Sequence, residues 1–212
     1  PKKSEKEIDP ARKREAFYHE VLELQDTFTA LEECRMPTIA AIQGGCIGGA
    51  IDMAAACDMR YCSEDAFFKI AEVDIGIAAD VGTLQRLPSL IPLAVLRELA
   101  YTGRKCDSAE AKSLGLVNEV YSSVDNMMEE VQKIAQTIAS KSPLVTRVIK
   151  KQINYARDNS VRDSLEYHAM WNASLISHKD TETALTAFMN KSEGEFDDLE
   201  ELKSFWEKEG LI

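Results

Sequence analysis

The feature that most constrains this chain is a run of glycines set between two apolar segments. Thr38-Ile39-Ala40-Ala41-Ile42 is short and wholly apolar, as expected of a strand covered on both faces. Gly44-Gly45-Cys46-Ile47-Gly48-Gly49 follows. Residues 51–57 are rich in alanine and lack alternation, which reads as a buried helix. The unit is therefore strand, turn, helix. Glycines in such a turn permit unusual φ values and let a ligand approach the backbone closely. Free N–H groups at the helix start can hold an anion or a polarised carbonyl, helped by a dipole worth about half a charge. The spacing is not G-x-G-x-x-G, and no Gly-Lys-Ser/Thr follows, so neither nucleotide fingerprint is met. Tight strand–helix packing would also explain the glycines, and both readings stay open.

Three acids lie close to this unit in sequence. Asp52 comes three residues after Gly49, and on a helix those positions share a face. Its carboxylate is expected beside the N–H groups of the turn. Set among Ile51, Met53, Ala54, Ala55 and Ala56, it needs partners, because a buried carboxylate is costly alone. Glu72 and Asp80 fall in Ala71-Glu72-Val73-Asp74-Ile75-Gly76-Ile77-Ala78-Ala79-Asp80-Val81-Gly82, which is apolar and glycine-containing. A closed apolar site is expected around them. Two carboxylates in such a site form a coupled pair able to hold one acid and one base. Asp74 shares the same local composition and is expected to be structural or exposed.

The rest of the chain places this group. Asp9-Pro10 looks like an N-cap with proline at N1, and Phe17, Val21, Leu24, Phe28 and Leu31 follow helical spacing. Residues 10–34 thus read as an amphipathic helix. Short strands are expected at 58–62, 66–70 and 116–120, with a turn at 63–65 and a loop at 76–82. Short helices are expected at 84–90, interrupted by Pro88, and at 94–101 and 108–114, the last ended by Gly115. Beyond Val124 the pattern is helical: 125–140, 143–158, 160–175 and 179–190. The expected division is a strand-and-helix core over residues 1–124 and a helical region over 125–212.

Composition closes off several classes. The net charge of -11 gives no basic footprint for nucleic acid. No apolar run reaches the ~18–20 residues of a membrane span, and no secretory signal opens the chain. Cys34, Cys46, Cys57, Cys62 and Cys106 include no CxxC, so a zinc site is not expected. Cys46 and Cys57 read as small buried hydrophobes. His19, His168 and His178 stand beside no Ser or Cys nucleophile motif.

The glycine unit with Asp52, followed by Ala56-Cys57-Asp58-Met59-Arg60, resembles the signature of the enoyl-CoA hydratase/isomerase (crotonase) superfamily. Gly82-Thr83-Leu84-Gln85-Arg86-Leu87-Pro88 is similar to its next block. Thr102-Gly103-Arg104 with Ala109-Glu110-Ala111 and Leu114-Gly115-Leu116-Val117 is similar to the one after. The resemblance covers roughly residues 37–190. Within the superfamily the chain most resembles the Δ3,5-Δ2,4-dienoyl-CoA isomerases. Hydratases typically carry glutamates at the places of Asp52 and Glu72 and a small residue at the place of Asp80.

The resemblance implies an α/β (α+β) fold with a crotonase-like ββα spiral core, followed by a helical region that assembles homotrimers or hexamers. It implies an acyl-CoA thioester substrate and β-oxidation chemistry in a mitochondrion or peroxisome, with no metal or redox cofactor. Gly49 would donate to the thioester oxygen, with Gly48 and Gly45 shaping the same oxyanion and substrate site. Asp80 would remove a C2 proton, Glu72 would deliver one at C6, and Asp52 would orient the pair. Enoyl-CoA hydratase and Δ3,Δ2-enoyl-CoA isomerase are the neighbouring alternatives, and a non-catalytic crotonase-fold scaffold is an alternative of another class. The family carries early strands and a second oxyanion donor ahead of the point matching Thr38. Here Pro1 to Pro37 read as one helix with a charged lead. The expectation is a core shortened at its N-terminus, with half an oxyanion hole.

Overall fold

Asp9 accepts the N–H groups of Ala11 and Arg12, and Pro10 occupies the first helical position, so α1 runs Pro10–Glu32. The helix and its start fall where predicted, but its apolar face is only partly covered, with Phe17 and Leu24 exposed. The computed structural model describes residues 9–203. It divides into two compact units, one ending at Gln132 and the other beginning at Lys133.

The first unit winds its strands between two sheets. β1 (Ile39–Ile42) belongs to one sheet and β2 (Gly45–Ile47) to the other, before α2 (Gly49–Ala56). β3 (Met59–Ser63) returns to the first sheet and β4 (Phe67–Lys69) to the second, each parallel to its predecessor. A 3₁₀ turn at Glu72–Ile75, α3 (Thr83–Arg86), a 3₁₀ turn at Leu87–Ser89 and α4 (Leu93–Thr102) follow. β5 (Cys106–Asp107) pairs antiparallel with β4, and β6 (Glu119–Tyr121) parallel with β3, on either side of α5 (Ser108–Leu114). Strand, strand and helix recur while the strands alternate between sheets. That is the ββα spiral expected from the resemblance.

The core lies between these layers. Cys46, Ile51, Ala54, Cys62, Phe68 and Leu96 are among its buried members. Arg60 is buried with them. It donates from Nε to the Leu116 carbonyl at 2.8 Å and from a terminal nitrogen to the Cys57 carbonyl at 2.7 Å. It thus satisfies the carbonyl at the C-cap of α2 and one just beyond α5.

Several short elements differ from expectation. β2 lies inside what reads as a bare glycine turn, and β5 and the 3₁₀ turn at Glu72 go unannounced. Two- and three-residue strands are too short for alternation to show, and their existence depends on a distant partner. β6 begins at Glu119 rather than at Leu116, because the Leu116 N–H closes the end of α5 on the Ala111 carbonyl. Gly115 adopts φ +80 at the end of α5, as its place predicts. Cys46 is buried as expected, whereas Cys57 is only half-buried.

The second unit is helical. α6 (Val124–Ala139) crosses the division, and α7 (Pro143–Asp158), α8 (Val161–Leu175) and α9 (His178–Asn190) follow. Ser142, Ser160 and Ser177 each cap the next helix through the side-chain oxygen, which is why these boundaries fall within a residue or two of those predicted.

Candidate active site

The glycine unit builds the first half of the site. Gly48 has φ +55 and is the N-cap of α2, a conformation that L residues adopt at a cost. A Cβ there would stand 3.1 Å from Glu72 Oε1, so the missing side chain lets that carboxylate approach the turn. The Gly48 N–H donates to the Lys69 carbonyl at 3.0 Å. It is therefore engaged and is not a free oxyanion donor. Gly49 is the first helical residue and is exposed. Its N–H has no acceptor within the helix. Gly45 lies in β2, where a Cβ would come within 3.0 Å of Phe67 and Ile47. Its place is explained by packing.

Asp52 is the most deeply buried acid of the three, at 0% exposure. Its partner is not the glycine turn. Asp52 Oδ1 accepts the Thr83 N–H from the start of α3 at 2.5 Å. Asp52 Oδ2 and Thr83 Oγ1 are buried with no protein partner. Gly82 precedes Thr83 with φ +136, and a Cβ there would lie 1.9 Å from an Arg86 nitrogen, so the glycine leaves room for Arg86. The surroundings are apolar enough that the Cys46 thiol is pushed up to about 12. Burial is the main cause, with Cys62 and Asp52 adding to it.

Glu72 opens its 3₁₀ turn half-buried, and its Oε2 is buried without a partner. Unpartnered buried polar atoms are rare in folded proteins, so each calls for an explanation. A cavity of about 540 Å³ includes Glu72 in its wall, with Ile70, Val73, Ile77, Leu84 and Leu96 around it. Asp80 is exposed, so the closed apolar surroundings expected for it are absent. Asp74 meets its expectation. It is half-exposed and 2.7 Å from Lys69 Nζ.

α1 supplies residues that sequence reasoning missed. Gln25 Nε2 donates to the Asp80 carbonyl at 2.6 Å. Phe28 lies 3.9 Å from the Cβ position of Gly49. Arg86 Nε donates to Glu32 Oε2 at 2.8 Å, with both side chains 13% exposed, and another Arg86 nitrogen reaches Thr29 Oγ1. No local signal could have found these links, since they join residues 21 to 57 positions apart in the chain. What the arrangement offers is a free helix-start amide, a carboxylate with an unpartnered oxygen against the same turn, and an apolar cavity. It suits a polarised carbonyl with an apolar tail and a proton moved at a nearby carbon.

Comparison with known proteins gives the family. The pattern described as enoyl-CoA hydratase/isomerase matches residues 7–199, and the chain belongs to that family. It is 45% identical over 188 residues to the peroxisomal Delta(3,5)-Delta(2,4)-dienoyl-CoA isomerase of Arabidopsis thaliana, covering 89% of this chain and 68% of that protein. It is 47% identical over 170 residues to the mitochondrial enzyme of the same name from Rattus norvegicus, covering 80% of this chain and 52% of that one. The chain thus spans about half to two-thirds of these relatives. Among solved structures, an enoyl-CoA hydratase from Bacillus anthracis superposes with a TM-score of 0.80 at 32% identity, over 90% of this chain and 72% of that one.

Proposed function

We propose that this chain carries the proton-transfer residues of a Δ3,5-Δ2,4-dienoyl-CoA isomerase. The observation that carries the reading is Glu72, with one oxygen against Gly48, the other unpartnered, and an apolar cavity beside it. The likeness to dienoyl-CoA isomerases and the acid at position 80 support isomerisation over hydration.

The thioester oxygen accepts from the Gly49 N–H, which lowers the cost of negative charge developing there. Asp80 takes a proton from C2. The electron pair left behind moves toward the thioester and across C3 to C6. A proton then bonds to C6 from Glu72, whose place in the cavity wall suits the more distal carbon. The double bonds end at C2 and C4, and one proton has been lost and one gained. Proton transfer of this kind calls on no metal or redox cofactor. Asp52, fixed on the Thr83 N–H, orients the pair without touching substrate.

Ultraviolet absorbance of the conjugated product tests the reading directly. A 3,5-dienoyl-CoA should be converted, and in D₂O one deuterium should appear at C6. Hydration of a 2-enoyl-CoA faster than this conversion would replace it with the hydratase reading. Binding of no acyl-CoA would replace it with a scaffold.

The proposal extends to assembly and place. Val145, Ile149 and Ile153 are exposed on one face of α7, a spacing that makes an apolar stripe. Self-association through this stripe, to trimers or hexamers, should appear in analytical ultracentrifugation, and a monomer would refute it. The relatives' names point to a peroxisome or a mitochondrion.

A further inference from the structure

Lys69 ends β4 and reaches both halves of the candidate site. Its carbonyl accepts the Gly48 N–H at 3.0 Å, which holds the turn that presents the Gly49 amide. Its ammonium lies 2.7 Å from Asp74 Oδ2, and Asp74 shares a single 3₁₀ turn with Glu72. From another side, Gly103 ends α4 with φ +60. A Cβ there would lie 2.9 Å from Asp74 Oδ1 and 3.1 Å from Val73. Asp74 is thus held by a cation and packed against a helix end that has no side chain to push it away.

This arrangement ties two groups together through one residue. The backbone of Lys69 fixes the oxyanion turn, and its side chain fixes the turn that carries Glu72. Glu72 Oε1 in turn sits against Gly48. We propose that Lys69 and Asp74 are positioning residues that set Glu72 relative to the Gly49 amide. Their contribution to turnover rests on the isomerase reading above, whereas the geometric coupling does not.

An ordinary surface ion pair would behave differently. Lys69 and Asp74 side chains are 28% and 46% exposed, and pairs this open contribute little to stability. Misplacing a reacting group by about 1 Å, however, can cost roughly 10²-fold in rate. The signature of positioning is therefore a fall in kcat with thermal stability nearly unchanged.

The experiment uses Lys69→Met, Asp74→Asn, the double variant and Lys69→Arg. Dienoyl-CoA turnover and the amide NMR shifts of Gly48 and Gly49 are recorded for each. Met and Asn should each lower kcat about 10- to 100-fold with KM little changed, the double should be no worse than the singles, and Arg should restore most of the rate. Asp74→Asn touches neither glycine, yet it should move both amides, and it should not do so in the Lys69→Met background. Unmoved amides, or additive losses in kcat, would overturn the proposal. If the parent chain shows no turnover, the isomerase reading fails and the amide shifts still decide the coupling.

Discussion

Asp52 and Asp80 are the same chemical group in opposite surroundings. Asp52 is sealed beneath the glycine turn, with one oxygen bound by the Thr83 N–H and the other unpartnered. Asp80 stands exposed on a loop that α1 reaches through the hydrogen bond from Gln25 to its carbonyl. A sealed carboxylate is held in one place and has no direct exchange of protons with solvent. An exposed one can exchange them, and it can also move. On the proposed reading the sealed acid positions and the exposed acid carries the proton, so each should fail in its own way when removed.

The largest effect should come from the exposed acid. Asp80→Asn keeps the shape and removes the proposed base, so kcat should fall roughly 10²- to 10⁴-fold. The melting temperature should hardly move, because substitutions at exposed positions usually stay within about 0.5 kcal/mol. A rate within tenfold of the parent would break the comparison by showing that the base lies elsewhere.

The sealed acid should show the reverse weighting. Asp52→Ala strands the Thr83 N–H without its acceptor, and a buried unsatisfied donor costs about 1–3 kcal/mol. Chemical denaturation should show that loss for Asp52→Ala and almost none for Asp80→Ala. Equal losses would mean that Asp80 is also enclosed, and the contrast between the two would collapse.

This contrast also explains what was legible in the sequence. The helices announced themselves because their signals are local, as in Asp9-Pro10 and Ser142-Pro143. The glycine unit and the order of the acids were legible too, through residue type and spacing. Burial was not. Asp80 lies in a run as apolar as that around Asp52, yet it is exposed, because exposure depends on what packs against the loop. The Asp52 partner was hidden for the same reason. Its own helix offers nearby N–H groups, but the observed donor, Thr83, lies 31 residues away. Gly82 was legible as a glycine, but its task of admitting Arg86 depends on Arg86 being drawn across to Glu32 on α1.

A pH series sharpens the sealed side of the comparison. Burial pushes the thiols of Cys46 and Cys106 up to about 12 and that of Cys62 to about 11. The unfolded chain loses these protons near the ordinary thiol value, about 8.5. Folded pKa values above unfolded ones mean stability that is complete below about 8.5 and is lost as pH rises toward 11–12. Denaturant midpoints should therefore fall from pH 8.5 upward. Cys62→Ala should flatten part of that slope. A slope unchanged in that variant would show that its thiol is not sealed.

The smallest effect tests how the exposed loop is held. Gln25→Ala removes one neutral hydrogen bond, worth about 0.5–1.5 kcal/mol. The bond ties α1 to the Asp80 carbonyl and touches no core residue. Its loss should therefore appear locally, as faster amide exchange at Val81 and Gly82, with the global midpoint nearly unchanged. If Asp80 works by reaching a substrate carbon from a tethered loop, kcat should fall a few-fold while KM stays level. Faster exchange without any change in kcat would mean that the loop's resting position is irrelevant to turnover. The tether to α1 would then be a packing contact alone, and the base would owe its placement to the bound substrate.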